Sequence, residues 1–352
     1  TFAIISCGGT ITMELGAKGA LEPKKTINEI LKEINVNLSS NQFTIPENKR
    51  IELFKLDSAD LNPSHWQKLI QKIEELQTDC DGILIFHGTD TMSYSATAVG
   101  LTLAQKLTVP IIFTGAQSPL GEAGSDGKTN IERAFLVLQK AAQDKVTECM
   151  IFFGHEAYRA VNSRKKSESD FQAFESPSVK PLYMVGGLGV KSFRLSRNSQ
   201  NIKSKKTLDF KLKNDFASGV VVLPIIPGLE ADILLKLAQN EKTKAIILIS
   251  LGAGNVPALE GEFNLIPIVA HITHQLKKPL IVASPFVGGS TNMDVYLPGL
   301  LAKEAGAINA GKMTTEATVV KTRLLLAQPT IINDPDKFQK ALTYDLAGET
   351  GV

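Results

Sequence analysis

Short, wholly apolar runs closed by glycine recur along this chain of 352 residues, and they restrict the folds open to it. Phe2-Ala3-Ile4-Ile5 leads into Gly8-Gly9-Thr10-Ile11-Thr12, and Ile83-Leu84-Ile85-Phe86 leads into His87-Gly88-Thr89-Asp90-Thr91-Met92. Such runs show no inside–outside alternation, so they read as strands buried on both faces of a parallel sheet. Helix signals lie between them. Thr26-x-x-Glu29 is a capping box, and Asn62-Pro63 supplies an N-cap and a first-turn proline for a helix reaching about Leu76. Further strands are expected over 51–56, 82–86, 109–114 and about 148–153, with helices over roughly 92–106 and 126–142. After a polar, lysine- and asparagine-rich break the rhythm resumes. Strands at 220–225, 244–250 and 280–283 alternate with helices from about 230, near 265–276, at 297–304 and near 315–327.

Strand–helix alternation of this kind gives an α/β fold with helices on both faces of the sheet. The length exceeds what one core usually supports. The expectation is therefore a larger N-terminal domain over 1–192 with a mostly parallel sheet, a linker over 193–217 and a smaller C-terminal α/β domain over 218–352.

Composition excludes some functions. The net charge of +2 leaves 38 bases against 36 acids, and the densest basic run, Lys203-Ser204-Lys205-Lys206, has no interleaved aromatic residues. A nucleic-acid partner is not expected. No apolar stretch approaches the ~20 residues that span a bilayer. Cys7, Cys80 and Cys149 are odd in number and lack metal-type spacing, as free thiols of a reducing compartment would be.

Ligands of open α/β folds sit beyond the carboxyl ends of the strands. The two glycine-bounded runs would place Thr10, Thr89 and the carboxylate of Asp90 there. A hydroxyl needs a base before it attacks, and the histidines are dispersed. His87 reads as a structural hydrogen-bonder. His271 and His274 have a spacing that permits metal ligation but no third ligand nearby, so no metal is expected. H-E-x-x-H, C-x-x-C, G-x-S-x-G and P-loop motifs are all absent, and the isolated G-x-G pieces at 187–189 and 252–254 read as turns, so no cofactor is expected. A lysine can serve as base when burial or a neighbouring charge favours its neutral amine. The 159–166 segment holds Lys165 and Lys166, although alone it reads as a solvated basic loop.

An ordered set of motifs along nearly the whole chain resembles the bacterial-type L-asparaginases. The matching pieces are G-G-T-I at 8–11, D-S-A-D at 57–60, H-G-T-D-T-M at 87–92, T-G-A-Q at 114–117 and S-D-G-x-x-N at 125–130. Ser163-Arg164-Lys165, G-A-G-N at 252–255 and T-T-E-A-T at 314–318 complete it. The continuation Thr91-Met92-Ser93-Tyr94-Ser95-Ala96 is closer to the type I branch, which implies a cytoplasmic enzyme. The resemblance implies hydrolysis of L-asparagine to L-aspartate and ammonia, with glutamine a weaker substrate. Thr10 would be the nucleophile, and Thr89, Lys165 and Asp90 a hydroxyl–amine–carboxylate triad. Asp90 would also pair with the substrate ammonium, and Ser58, with Asp57, would hold the α-carboxylate. The backbone near Thr89 and Ala116 would cradle the amide. Asn255 and Glu316 would complete the site of an adjacent subunit in a homodimer or homotetramer.

Two departures from the family pattern stand out. The tyrosine expected in the 12–30 loop falls on Ala20, leaving Thr12, Glu14 or Lys18 as possible replacements, and Ala59 stands where a polar side chain is usual. They motivate an alternative, a catalytically impaired amino-acid-binding homologue. A third reading, the asparaginase-like subunit of a tRNA-dependent amidotransferase, is disfavoured because such chains carry an extra N-terminal domain.

Overall fold

The computed structural model describes residues 1–16, 19–34, 44–193, 212–286 and 288–351. The chain divides into two compact units, Thr1–Asp209 and Phe210–Val352. In the first, the strands are β1 (Ala3–Gly8), β2 (Met13–Leu15), β3 (Leu21–Pro23), β4 (Arg50–Leu56), β5 (Ile83–Phe86), β6 (Ile111–Thr114), β7 (Cys149–Phe153) and β8 (Glu156–Arg159). Two short strands, β9 (Arg164–Lys165) and β10 (Phe174–Glu175), precede β11 (Tyr183–Gly186) and β12 (Gly189–Ser192). The helices are α1 (Ile27–Glu33), α2 (Pro63–Leu76), α3 (Met92–Leu103) and α4 (Gly127–Gln143).

The main sheet has eight strands in the order β12-β11-β8-β7-β6-β5-β1-β4. β4, β1, β5, β6 and β7 run parallel, and β8, β11 and β12 extend the sheet antiparallel. The parallel strands β1, β5, β6 and β7 are buried at every position, as unalternating apolar runs require. α1 and α4 cover one face through Ile27, Ile30, Ile131, Phe135 and Leu138 against Ile4, Leu84 and Ile112. The predicted capping box forms: the Thr26 N–H donates to Glu29 Oε2 (2.8 Å) and the Glu29 N–H to Thr26 Oγ1 (3.3 Å). α3 is buried almost all round, which its small residues permit; a Cβ on Gly100 would lie 3.0 Å from Val161.

The antiparallel strands and the β9–β10 pair were not expected, because their mixed polar sequences carry no sustained period. The loop expected within 12–30 contains the paired strands β2 and β3, with Leu15 opposite Leu21, and the helix expected from the capping box follows as α1.

The second unit holds a parallel sheet of four strands in the order β13 (Val220–Pro224), β14 (Ala245–Ile249), β15 (Leu280–Ala283) and β16 (Ile308–Asn309). Its helices are α5 (Ala231–Gln239), α6 (Ile266–Ala270), α7 (Leu297–Glu304), α8 (Thr315–Leu326), α9 (Pro329–Ile332) and α10 (Pro335–Thr343). α6 widens into a π-helical segment over His271–Gln275, where Thr273 Oγ1 donates to the Val269 and Ala305 carbonyls. Of the expected linker, 194–211 lies outside the described residues. Residues 213–217 are fastened to the second unit: the Lys213 N–H donates to Gln328 Oε1 (3.0 Å) and the Ala217 N–H to the Arg323 carbonyl (2.9 Å).

Candidate active site

β1 lies between β4 and β5, so the loops leaving the carboxyl ends of these three strands are neighbours. Gly8 and Gly9 both have positive φ, 89° and 85°. Gly9, with ψ of 178°, occupies a region open essentially to glycine alone. A Cβ on Gly9 would lie 2.2 Å from Gly88 Cα, and one on Gly88 would lie 2.6 Å from Ser58 Cβ. Bare backbone therefore meets bare backbone, and the residues that follow, Thr10 and Thr89, start from one contact. Gly9→Ala is expected to destabilise the protein by at least about 1–3 kcal/mol. A urea-unfolding midpoint equal to the wild type would show that the two loops do not meet in this way.

Thr89 is buried, and its hydroxyl oxygen accepts a hydrogen bond from Lys165 Nζ (2.8 Å). The same ammonium donates to Asp90 Oδ1 (2.7 Å), whose side chain is 66% exposed while that of Lys165 is 17% exposed. Lys165 is held by the β9–β10 pairing, opposite Phe174. Thr91 Oγ1 donates to the Ser58 carbonyl (2.8 Å), tying the β5 loop to the β4 loop. A hydroxyl, an amine and a carboxylate thus meet at the strand ends.

Asp57 caps a short 3₁₀ turn, Ser58–Asp60, by accepting from the Ala59 N–H (2.9 Å), and Ser58 beside it is buried. Ala116, also buried, follows β6. The next residue, Gln117, was not singled out from sequence, nor were Asp126 and Asn130. The Asp126 carboxylate accepts from the Gln117 N–H (3.0 Å), the Ser118 N–H (3.1 Å) and Asn130 Nδ2 (2.9 Å), while Asn130 Nδ2 also donates to the Gly115 carbonyl (3.0 Å). The S-D-G-x-x-N spacing is the available signal, since it puts Asp126 and Asn130 one helical turn apart at the start of α4.

Thr10 opens a 3₁₀ turn, Thr10–Thr12, and is half-buried. Its hydroxyl makes no hydrogen bond among the described residues. Ala20 lies at the hairpin tip, where its carbonyl accepts from the Gly16 N–H (2.7 Å). Of the possible replacements for the tyrosine, Thr12 donates its hydroxyl to the Gly9 carbonyl (2.8 Å), and Glu14 lies 3.9 Å from the buried Lys25 ammonium. Lys18 lies outside the described residues.

His87 has a structural place. Its Nδ1 donates to the Gly88 carbonyl (2.7 Å), which leaves Nε2 to accept from Ser95 Oγ (2.9 Å). Burial pushes its pKa down to about 4, so the ring is neutral near pH 7. Burial likewise pushes the Cys7 thiol far above its ordinary range, so it stays protonated. Asn255 and Glu316 lie in the second unit. Asn255 closes a bridge with Leu251 just beyond β14, and Glu316 stands in the first turn of α8 beyond β16. Among the described residues no group of three or more His, Cys, Asp or Glu could hold a metal. No described helix is long and apolar enough to cross a membrane.

The chain is similar to known proteins in sequence and in fold. Residues 1–198 match the family model "Asparaginase, N-terminal", and 219–342 match "Glutaminase/Asparaginase C-terminal domain". L-asparaginase 1 of Escherichia coli K12 is 30% identical over 347 residues, covering 97% of this chain and 95% of that one. A glutamyl-tRNA(Gln) amidotransferase component of Methanothermobacter thermautotrophicus is 26% identical over 356 residues, covering 99% of this chain and 76% of its own. The crystal structure of L-asparaginase I from Vibrio cholerae superposes with a TM-score of 0.78 at 26% identity, covering 99% and 98% of the two chains.

Proposed function

This chain belongs to the asparaginase family, and from that premise we propose that it hydrolyses the side-chain amide of L-asparagine to L-aspartate and ammonia. The observation that carries the proposal is the Lys165 ammonium bonded at once to Thr89 Oγ1 and Asp90 Oδ1. Thr10 is the nucleophile. Its oxygen adds to the amide carbon and its proton passes to a base; the C–N bond then breaks and ammonia leaves with that proton. Water cleaves the resulting ester; the Thr89–Lys165–Asp90 set takes the water proton and returns one to the Thr10 oxygen as it leaves. A carboxylate offers no hydrogen to a second carboxylate. Asp57 therefore acts by fixing its turn through the Ala59 N–H, and the Ser58 hydroxyl holds the substrate α-carboxylate. Asp90, the exposed member of the triad, faces the α-ammonium. Backbone N–H groups near Thr89 hold the oxyanion, and the Ala116 carbonyl orients the amide. Glutamine is the weaker substrate, since its extra methylene displaces the amide from these groups.

A homodimer or homotetramer in the cytoplasm fits this reading. Leu251, which bridges to Asn255 in the second unit, is exposed, as are Phe286 and Tyr296, and a second copy would cover such apolar surface. Asn255 and Glu316 then serve the neighbour's site. Ammonia release from asparagine, glutamine and their D-forms tests the function. No release from L-asparagine would sink it, and release that survives Thr89→Val and Lys165→Met would remove those two residues from the mechanism.

Ala20 and the unbonded Thr10 hydroxyl favour a second reading, an amino-acid-binding homologue with impaired turnover. Restoring the tyrosine by Ala20→Tyr is expected to raise kcat by about 10²-fold, the lower range of positioned proton transfer. Calorimetric binding of asparagine by a wild type without turnover, together with turnover by Ala20→Tyr, would select this reading. Equal kcat for the two proteins would show that Thr10 needs no tyrosine at this position.

A further inference from the structure

Gln117 joins two parts of the site that no other side-chain amide reaches among the described residues. Thr89 Oγ1 donates its proton to Gln117 Oε1 (3.2 Å). Gln117 Nε2 donates to the carbonyls of Ser167 (3.2 Å) and Asp170 (3.3 Å), in the loop that follows Lys165. The orientation of this amide follows from its surroundings. Two carbonyl oxygens on one side demand the NH₂ group, and a flipped amide would set oxygen against oxygen at both. The amide oxygen therefore has to face Thr89. The Gln117 backbone is fixed in turn, because its N–H donates to both oxygens of Asp126 (3.0 and 3.1 Å).

Thr89 has a single hydroxyl proton. While Gln117 accepts it, the Thr89 oxygen is free to accept from the Lys165 ammonium, as the structure shows. For Lys165 to take a proton through Thr89, that O–H must leave Gln117 and turn to an unprotonated Nζ. We infer that Gln117 is a positioning residue for the Thr89–Lys165 pair. Its oxygen parks the Thr89 proton away from Lys165 in the resting protein, and its nitrogen holds the loop that follows Lys165. This role rests on the proposed reading of Thr89, Lys165 and Asp90 as the proton-handling set. A long bond between neutral partners suits a resting position, because little is lost when the Thr89 O–H turns from it to an unprotonated Lys165 Nζ.

The charged groups about Lys165 are few. Asp90 is bonded to it, Arg164 and Lys166 are its chain neighbours, and Glu175 stands opposite Arg164 on β10. Asp170 lies in the loop held by Gln117, and Asp126 is bonded to the Gln117 N–H. Gln117→Met changes none of these charges and is nearly isosteric. Without Gln117 Oε1 the Thr89 proton can turn to Lys165 Nζ, 2.8 Å away, and that nitrogen accepts only when unprotonated. The acid side of the kcat/KM profile for asparagine is therefore expected to move to lower pH by about half a unit to one unit, the worth of one neutral hydrogen bond. KM stays close to the wild type, since Gln117 is assigned no substrate contact. Gln117→Leu, with a different shape and so a different folding risk, is expected to give the same shift. A residue that merely fills space would lower the amount of folded protein without moving the profile. An acid side that stays in place in a folded variant of an active enzyme would overturn the role of Gln117 alone. Full activity in Lys165→Met would remove Lys165 from the mechanism, and no ammonia release by the wild type would overturn the amidohydrolase reading; either result overturns this role with it.

Discussion

Replacing Lys165 with methionine is expected to lower kcat for asparagine by about 10²–10⁴-fold, the usual worth of a positioned proton-transfer group. Methionine keeps the length of the side chain and removes its nitrogen. Thr89 then retains Gln117 as a partner, with nothing left that can take a proton from it. The cost in stability is small for a definite reason. Asp90 loses its partner but is two-thirds exposed, so water replaces the ammonium, and pairs with so open a member contribute little to folding. Activity and stability should therefore part company. Ammonia release read beside a thermal melt checks this, and a kcat within tenfold of the wild type at an unchanged melting temperature would remove Lys165 from the mechanism.

The second large effect concerns the fold of the C-terminal unit. Lys321 on α8 and Glu349 near the chain end are both fully buried, with Nζ 2.6 Å from Glu349 Oε1. The ammonium also donates to the Tyr344 carbonyl, and the Glu349 carboxylate accepts from the Leu346 (2.9 Å) and Ala347 (2.7 Å) N–H groups. Taking away one member leaves a charge with neither water nor counter-ion. Glu349→Ala is expected to destabilise the protein by about 3–5 kcal/mol, read as a fall in the urea midpoint. The double replacement Lys321→Met with Glu349→Met should recover much of that, because two apolar side chains incur no desolvation cost. Recovery stays incomplete, since the Leu346 and Ala347 N–H groups lose their acceptor. A loss below about 1 kcal/mol for Glu349→Ala would mean that water reaches Lys321.

The sequence by itself determined what depends on near neighbours. Four apolar residues bounded by glycine read as a strand buried on both faces, as Ile83–Phe86 is, and Gly9 carries a backbone angle that other residues rarely adopt. Thr26 and Glu29 cap α1 because three residues bring the two groups within reach. With these came the parallel core and the positions of Thr10 and Thr89 at its edge. Only the tertiary structure decided what lies far apart along the chain. Lys165 is 76 residues from Thr89, and a basic loop has no periodicity to distinguish it from a solvated one. What places its ammonium on Thr89 is a two-residue strand pair, separate from the main sheet and too short to leave a pattern. Gln117 was hidden for the same reason. Its two ends meet groups 28 and 50 residues away, and an amide has no charge or spacing to announce such partners. Local sterics can be read from the order of residues, whereas convergence of side chains depends on packing that sums over the whole sheet.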